Sequence, residues 1–184
     1  IEKIRLVSNG LRVGAFNNTD NDFGPVVTRE HKKKIEELIT SAEDDGAEIV
    51  VDGRLFKPSD DLRGGFFLGP TVIDKTKIWM KSYKEEIFGP VVCAQPFSDE
   101  SLEKIAEEAN NTSFGLAASV WTKDISTAHK LAAKIRAGTV WVNCHNIFDA
   151  SLPFGGYKES GWGREMGHEV LKNYAEVKAV TVNL

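Results

Sequence analysis

Apolar positions recur in this chain with two periods, and the switching between them predicts an α/β fold. Ile35, Leu38, Ile39 and Ala42 form one stripe at helical spacing. Thr28 stands ahead of them as an N-cap, Glu30 complements the first turn, and Asp44-Asp45-Gly46 is a stop. Leu102, Ile105, Ala106 and Ala109 make a second stripe, with Ser98 or Asp99 as its cap. Ala128, Leu131, Ala132 and Ile135 make a third, begun at Asp124 and stopped by Gly138. Between the stripes lie extended runs: Glu48 to Gly53, Phe66 to Ile73, Val91 to Phe97 as a buried strand, Gly115 to Trp121, and Thr139 to Asn143. Residues 1–13 predict a short helix followed by a loop at Ser8-Asn9-Gly10, while Asn17 to Asp22 and residues 57–65 are polar turns. Strand–helix–strand alternation at these lengths predicts a largely parallel sheet flanked by helices. Such sheets gather ligands at the carboxyl ends of their strands, which directs attention to the loops before Val91 and after Val142.

The tail is patterned differently. Val177, Ala179, Thr181 and Asn183 alternate with Glu176, Lys178, Val180 and Val182, and no helix follows. Two readings stand equal: a strand that pairs with a sheet edge in another subunit, or an edge strand of its own domain.

With 184 residues, 41% of them hydrophobic, the chain can bury a sizeable core. The net charge of -4 and the spread of Lys and Arg argue against a nucleic-acid surface. The one dense basic run, Lys32-Lys33-Lys34, sits beside Glu30, Glu36 and Glu37 and reads as a solvated helix face. Cys93 and Cys144 are too few for a disulfide scaffold and read as buried thiols of a reducing compartment, the cytoplasm or the mitochondrial matrix. No apolar stretch is long enough to span a membrane, and no metal site is read. Ile1-Glu2-Lys3-Ile4, without an initiator Met or a signal-peptide pattern, suggests a start partway through a gene product.

Two segments carry candidate chemistry. In Lys84-Glu85-Glu86-Ile87-Phe88-Gly89-Pro90-Val91 a carboxylate pair leads into a strand. Paired Glu is common at surface turns, but Gly89 and Pro90 fix the turn, so the side chains ahead of them are held. A carboxylate so held can accept both hydroxyls of a ribose, and an aromatic two residues on can bound a flat ring. The second segment runs from Pro153 to Glu165 and is rich in glycine. It lacks the Gly-Lys-Ser/Thr ending of a phosphate-binding loop, and no strand leads straight into its glycines as a dinucleotide fingerprint requires. It reads as backbone that packs closely, with Arg164-Glu165 as a helix start or an ion pair.

Together these motifs resemble the NAD(P)-dependent aldehyde dehydrogenase superfamily. The resemblance covers essentially the whole chain. Asp22 to Pro25, Gly69 to Thr71, Glu85 to Val91, Ser113 to Ala117, Ala137 to Asn143 and Pro153 to Glu165 match in order and spacing. It implies the C-terminal part of an enzyme that oxidises an aldehyde to a carboxylic acid through a cysteine thioester, with hydride passing to NAD or NADP. The C-terminal third is most similar to the broad-specificity, betaine-aldehyde and phenylacetaldehyde branch. Thr28 to Gly53 also resembles semialdehyde dehydrogenases.

By this resemblance residues 1–170 belong to the catalytic domain, with 1–35 bordering the cofactor domain, and 171–184 form a tail with an oligomerisation strand that joins a homodimer or tetramer. Glu86 is expected on the nicotinamide ribose and Phe88 near the nicotinamide ring. His31, where the family often has Gln, and Lys34 are expected near the adenosine ribose. Phe154, Phe148 and Cys144 are expected to wall the aldehyde pocket, and Glu165 to support proton transfer. The family's nucleophile stands in a Gly-Gln-Xaa-Cys segment, and neither cysteine here has that context. The chain alone is therefore expected to be inactive and to associate with itself or with a chain that completes the fold. A non-enzymatic module of the same fold, or a relative that passes the acyl group to coenzyme A, are the alternatives.

Overall fold

Thr28 starts the longest helix as the spacing requires, its Oγ1 accepting the backbone N–H of His31 at 3.0 Å. The computed structural model describes residues 1–98 and 101–184, and these form two compact units, Ile1–Ser98 and Asp99–Leu184.

The first unit holds α1 (Glu2–Gly10), α2 (Arg29–Asp44), β1 (Glu48–Val51), β2 (Thr71–Asp74), the short α3 (Lys81–Lys84) and β3 (Val91–Cys93). Its sheet has the order β1-β2-β3. The β1/β2 pair is antiparallel, and the β2/β3 pair is parallel with Thr71 opposite Val91. The stripe of α2 is the core: Ile35, Leu38, Ile39 and Ala42 are buried together with Leu68, Ile73, Met80 and Ile87. Arg54 ties α2 to the end of β1, donating to Thr40 at 2.9 Å, to Glu43 at 2.7 Å and to Asp52 at 2.7 Å. Its guanidinium holds the Asp52 carboxyl below the usual carboxylate range.

The second unit holds α4 (Leu102–Asn110), β4 (Phe114–Gly115), β5 (Ala117–Val120), α5 (Ile125–Lys134), β6 (Thr139–Val142) and β7 (Tyr157–Lys158). β5 and β6 run parallel, with Ser119 opposite Trp141. β4 and β7 pair antiparallel. Ala106, Val120 and Leu131 form its core, with Leu102, Ile105, Ile135 and Val140 packed around them. Asp124 caps α5, its carboxylate accepting from the N–H groups of Ser126 and Thr127.

The α/β class stands, but the sheet is not largely parallel: among the described residues two strand pairings are parallel and two antiparallel, and the three-stranded sheet holds one of each. Four further expectations need correction. The polar Ser8-Asn9-Gly10 lies inside α1. The cap of α4 is Ser101, which accepts from Lys104 N at 3.3 Å; Ser98 is not the cap, and Asp99 lies outside the described residues. The run Val91 to Phe97 is a strand only to Cys93, the stretch that pairs with β2, and it is not buried throughout: Val92 is 47% exposed. The tail from 175 to 184 forms no strand and is exposed throughout; its alternation is a strand pattern that finds no partner edge among the described residues.

Candidate active site

The turn before β3 is held from both sides. Glu85 N–H closes α3 onto Lys81 O at 2.8 Å, and Pro90 O accepts Thr71 N–H at 2.8 Å, which fastens the turn to β2. Ile87 points into the core. Gly89 lies against Ile35: a Cβ there would stand 2.6 Å from the Ile35 Cδ1, so any side chain would displace a buried core residue. Between these anchors Phe88 adopts φ 58° and is 74% exposed. A bulky residue at positive φ is strained, and such strain gathers at binding sites. Glu86 is exposed beside it and has no hydrogen-bond or ion-pair partner among the described residues, so both carboxylate oxygens are open to a ligand.

His31 and Lys34 stand on the first two turns of α2. The His31 ring lies 6.1 Å from that of Phe88, and its Nδ1 is buried without a hydrogen-bond partner. Lys32 and Lys33 pair with Glu36 at 3.6 Å and Glu37 at 3.5 Å, as a solvated face should. Lys34 has no ion-pair partner among the described residues. The structure thus brings His31 and Phe88 together, with Glu86 on the same turn. An open groove of about 580 Å³ runs along α2 past Lys33, Glu36, Thr40 and Asp44; it is that same solvated face and holds none of the expected site residues.

Cys93 is not built to be a nucleophile. Its thiol lies 3.4 Å from Ser82 O, and burial pushes its pKa from 9.0 to about 11. Nucleophilic cysteines need the opposite shift. Because the folded state holds this proton longer than the unfolded chain, the thiol's contribution to stability is present below about pH 9 and is lost as pH rises towards about 11. Alkylation of Cys93 by a thiol reagent at pH 8 should therefore be slow and should accelerate towards pH 11, with Cys93→Ala as the blank. Fast modification at pH 8 in the folded protein would contradict this.

In the second unit the glycine-rich segment is packed backbone to backbone. A Cβ on Gly138 would stand 1.6 Å from Gly155 O, and one on Gly155 would stand 2.6 Å from Gly163 O. Among the described residues Arg164 is neither a helix start nor one half of an ion pair. Its Nη1 donates to Gly156 O at 2.9 Å and Gly163 O at 2.5 Å, and its guanidinium lies 5.1 Å over the Tyr157 ring. The next residue, Glu165, exchanges two backbone hydrogen bonds of 2.7 Å with Phe154. This bridge sets the two expected site residues side by side, on a cleft of about 390 Å³ that Leu116, Trp162, Arg164 and Asn173 also line. Phe148 meets Phe154 edge-on at 5.1 Å and Trp141 at 5.6 Å. Cys144 is half-buried in the loop after β6.

The first unit thus carries an exposed carboxylate beside Phe88 at positive φ, and the second carries the Phe148–Phe154 pair beside Glu165. Residues 1–180 match the model of the aldehyde dehydrogenase family. The chain belongs to that family. It is 43% identical over 183 residues to a 4-trimethylaminobutyraldehyde dehydrogenase of Oryzias latipes, covering 99% of this chain and 36% of that protein. It is 39% identical over 174 residues to a betaine aldehyde dehydrogenase of Bacillus subtilis (strain 168), covering 94% of this chain and 35% of that one. A solved NAD+ complex of an aldehyde dehydrogenase from Bacillus cereus superposes with a TM-score of 0.88 at 41% identity, over 100% of this chain and 36% of that one. The aldehyde dehydrogenase fold seen here thus spans little more than a third of the length of the relatives it matches.

Sequence reasoning misread Arg164 and missed the contact between Ser119 and His145 in this aldehyde dehydrogenase segment. The partners of Arg164 are main-chain carbonyls, which leave no mark in a sequence. Ser119 and His145 come within 2.7 Å of each other across 26 positions, a pairing no local motif announces. Among the described residues no helix is long and apolar enough to cross a membrane.

Proposed function

We propose that this chain is part of an NAD(P)-dependent aldehyde dehydrogenase that oxidises an aldehyde to a carboxylic acid through a cysteine thioester, and that it supplies one side of the cofactor site and one wall of the aldehyde pocket. The observation that carries the reading is the Glu86–Phe88 turn: an unpartnered carboxylate and an exposed ring, fixed by Gly89 against Ile35. These residues fit a nicotinamide ribose. Two vicinal hydroxyls can donate to the two oxygens of Glu86, and charge-assisted hydrogen bonds of this kind are the strong ones. Phe88 bounds the ring and keeps water from it. Lys34 and the N–H-rich first turn of α2, with His31, serve the adenosine ribose. NAD or NADP, when bound, supplies the hydride acceptor.

On the substrate side Phe154, Phe148 and Cys144 offer an apolar wall, and Glu165, fixed by its bridge to Phe154, supports proton transfer. The placement of the chain as the C-terminal part of such an enzyme, with residues 1–170 in the catalytic domain and 171–184 as an oligomerisation tail, rests on the order of its motifs. The alternating, fully exposed tail supports pairing with a sheet edge of another subunit in a dimer or tetramer. Exposed Phe16 in the first unit, and exposed Trp121, Trp162 and Tyr174 in the second, support apolar surface that more protein covers. Neither cysteine stands in the nucleophile's sequence context, and Cys93 has the wrong ionisation, so the chain alone is inactive. The medium is a reducing compartment such as the cytoplasm or the mitochondrial matrix.

The test is an assay of the full-length parent protein with aliphatic and aromatic aldehydes. Carboxylic acid and reduced cofactor should form in equal amounts without coenzyme A. No aldehyde-dependent reduction of NAD+ or NADP+ would overturn the reading, and strict dependence on coenzyme A would replace hydrolysis with acyl transfer.

A further inference from the structure

The loop from Asn143 to Phe148 is wound around one indole. Trp141, 9% exposed, donates its Nε1–H to Ile147 O at 2.7 Å. His145 meets its ring edge-on at 5.1 Å, and Phe148 meets it at 5.6 Å. The loop carries two non-glycine residues at positive φ, Asn143 at 56° and Asn146 at 58°. Such a curl costs free energy and persists only where its surroundings hold it. One end is held by Asn143, whose side chain accepts from Thr122 N at 2.9 Å and donates to Thr122 O at 2.9 Å. The middle is held by a separate contact, His145 Nδ1 to Ser119 Oγ at 2.7 Å. Ser119 stands opposite Trp141 in the parallel β5/β6 register, so the two side chains project from the same face. The hydroxyl can donate to a bare Nδ1 or accept from Nδ1–H, so the contact survives either tautomer.

We propose that Ser119 and His145 are positioning residues that set the aldehyde selectivity of the enzyme. Their hydrogen bond holds His145 against Trp141, fixes the curl of the 143–148 loop and so sets where Phe148 stands against Phe154. The inference rests on the reading of Phe148 and Phe154 as a wall of the aldehyde pocket. Neither Ser119 nor His145 touches substrate; they act through Phe148. Loss of the hydroxyl lets the loop relax, which alters the fit of a large aldehyde more than that of a small one.

The experiment uses the full-length enzyme with acetaldehyde and phenylacetaldehyde as probes. Ser119→Ala should change the ratio of the two KM values about fivefold, the equilibrium weight of one net hydrogen bond. The kcat for acetaldehyde should stay within about twofold, because only interactions specific to the transition state would move it. Ser119→Thr, which keeps the hydroxyl, should restore the ratio. His145→Phe, which keeps an aromatic edge against Trp141 and loses the Nδ1 contact, should reproduce the shift. Amide hydrogen exchange in the 143–148 peptide should be faster in Ser119→Ala and in His145→Phe than in the wild type. Unchanged exchange overturns the clamp whatever the kinetics show. Faster exchange with an unchanged KM ratio overturns its role in selectivity. Phe148→Ala serves as the control on the underlying reading: if it leaves both KM values unchanged, the pocket assignment fails and the selectivity claim with it, while the exchange data still report on the clamp.

Discussion

Glu86→Ala in the full-length enzyme is expected to lower kcat/KM for the nicotinamide cofactor roughly ten- to a hundredfold. That range is the weight of the about 1.5–3 kcal/mol that hydrogen bonds to a charged group carry. Glu86→Gln keeps one acceptor oxygen and should fall between alanine and wild type. The loss should divide between KM and kcat, because a ribose contact both binds the cofactor and aims its ring. Stability should not change beyond about 0.5 kcal/mol, since Glu86 is exposed and without a partner among the described residues. Steady-state kinetics and cofactor titration measure the first effect, and chemical denaturation the second. A variant that binds cofactor as the wild type does would remove the ribose clamp from the account. A variant that unfolds would make Glu86 a structural residue instead.

Gly138→Ala is the largest stability effect expected. The new methyl would fall 1.6 Å from Gly155 O and 2.8 Å from its carbonyl carbon. Both are main-chain atoms, so no rotamer change relieves the clash and the backbone must move. The cost should reach about 3 kcal/mol or more, at the upper end for overpacking. The displacement passes along the glycine segment to the carbonyls that Arg164 holds, and from there to the Phe154–Glu165 bridge. Activity towards aldehydes should therefore fall with stability. Gly10→Ala is the control, because a Cβ there meets nothing within 4 Å; it should leave the denaturation midpoint nearly unchanged. An unaltered midpoint for Gly138→Ala would show that the close approach of the two glycines is not needed.

Much of this was open to the sequence because local chemistry decides it. The stripe of α2 and the caps Thr28 and Asp124 follow from side-chain periodicity and from hydroxyl or carboxylate groups next to free N–H donors. What failed depends on distant partners. Val91 to Phe97 has strand composition throughout, yet only Val91–Cys93 finds β2 to pair with. The tail has an alternating pattern and finds no edge among the described residues. At the site, Gly89-Pro90 announced a held turn, but the positive φ of Phe88 goes against the ordinary preference of an aromatic residue and could not be read from it. The glycines from Gly155 to Gly163 announced close packing. Their lock, Arg164, did not announce itself, since an arginine bound to carbonyls looks in sequence like one facing water.

As proposed, this chain holds one part of a dehydrogenase site and cannot complete the reaction by itself. Aldehyde-dependent NADH formation, measured in parallel for the purified 184-residue chain and the full-length parent enzyme, tests it most directly. The full-length enzyme should turn over, and the chain alone should not. Turnover by the chain alone would contradict it.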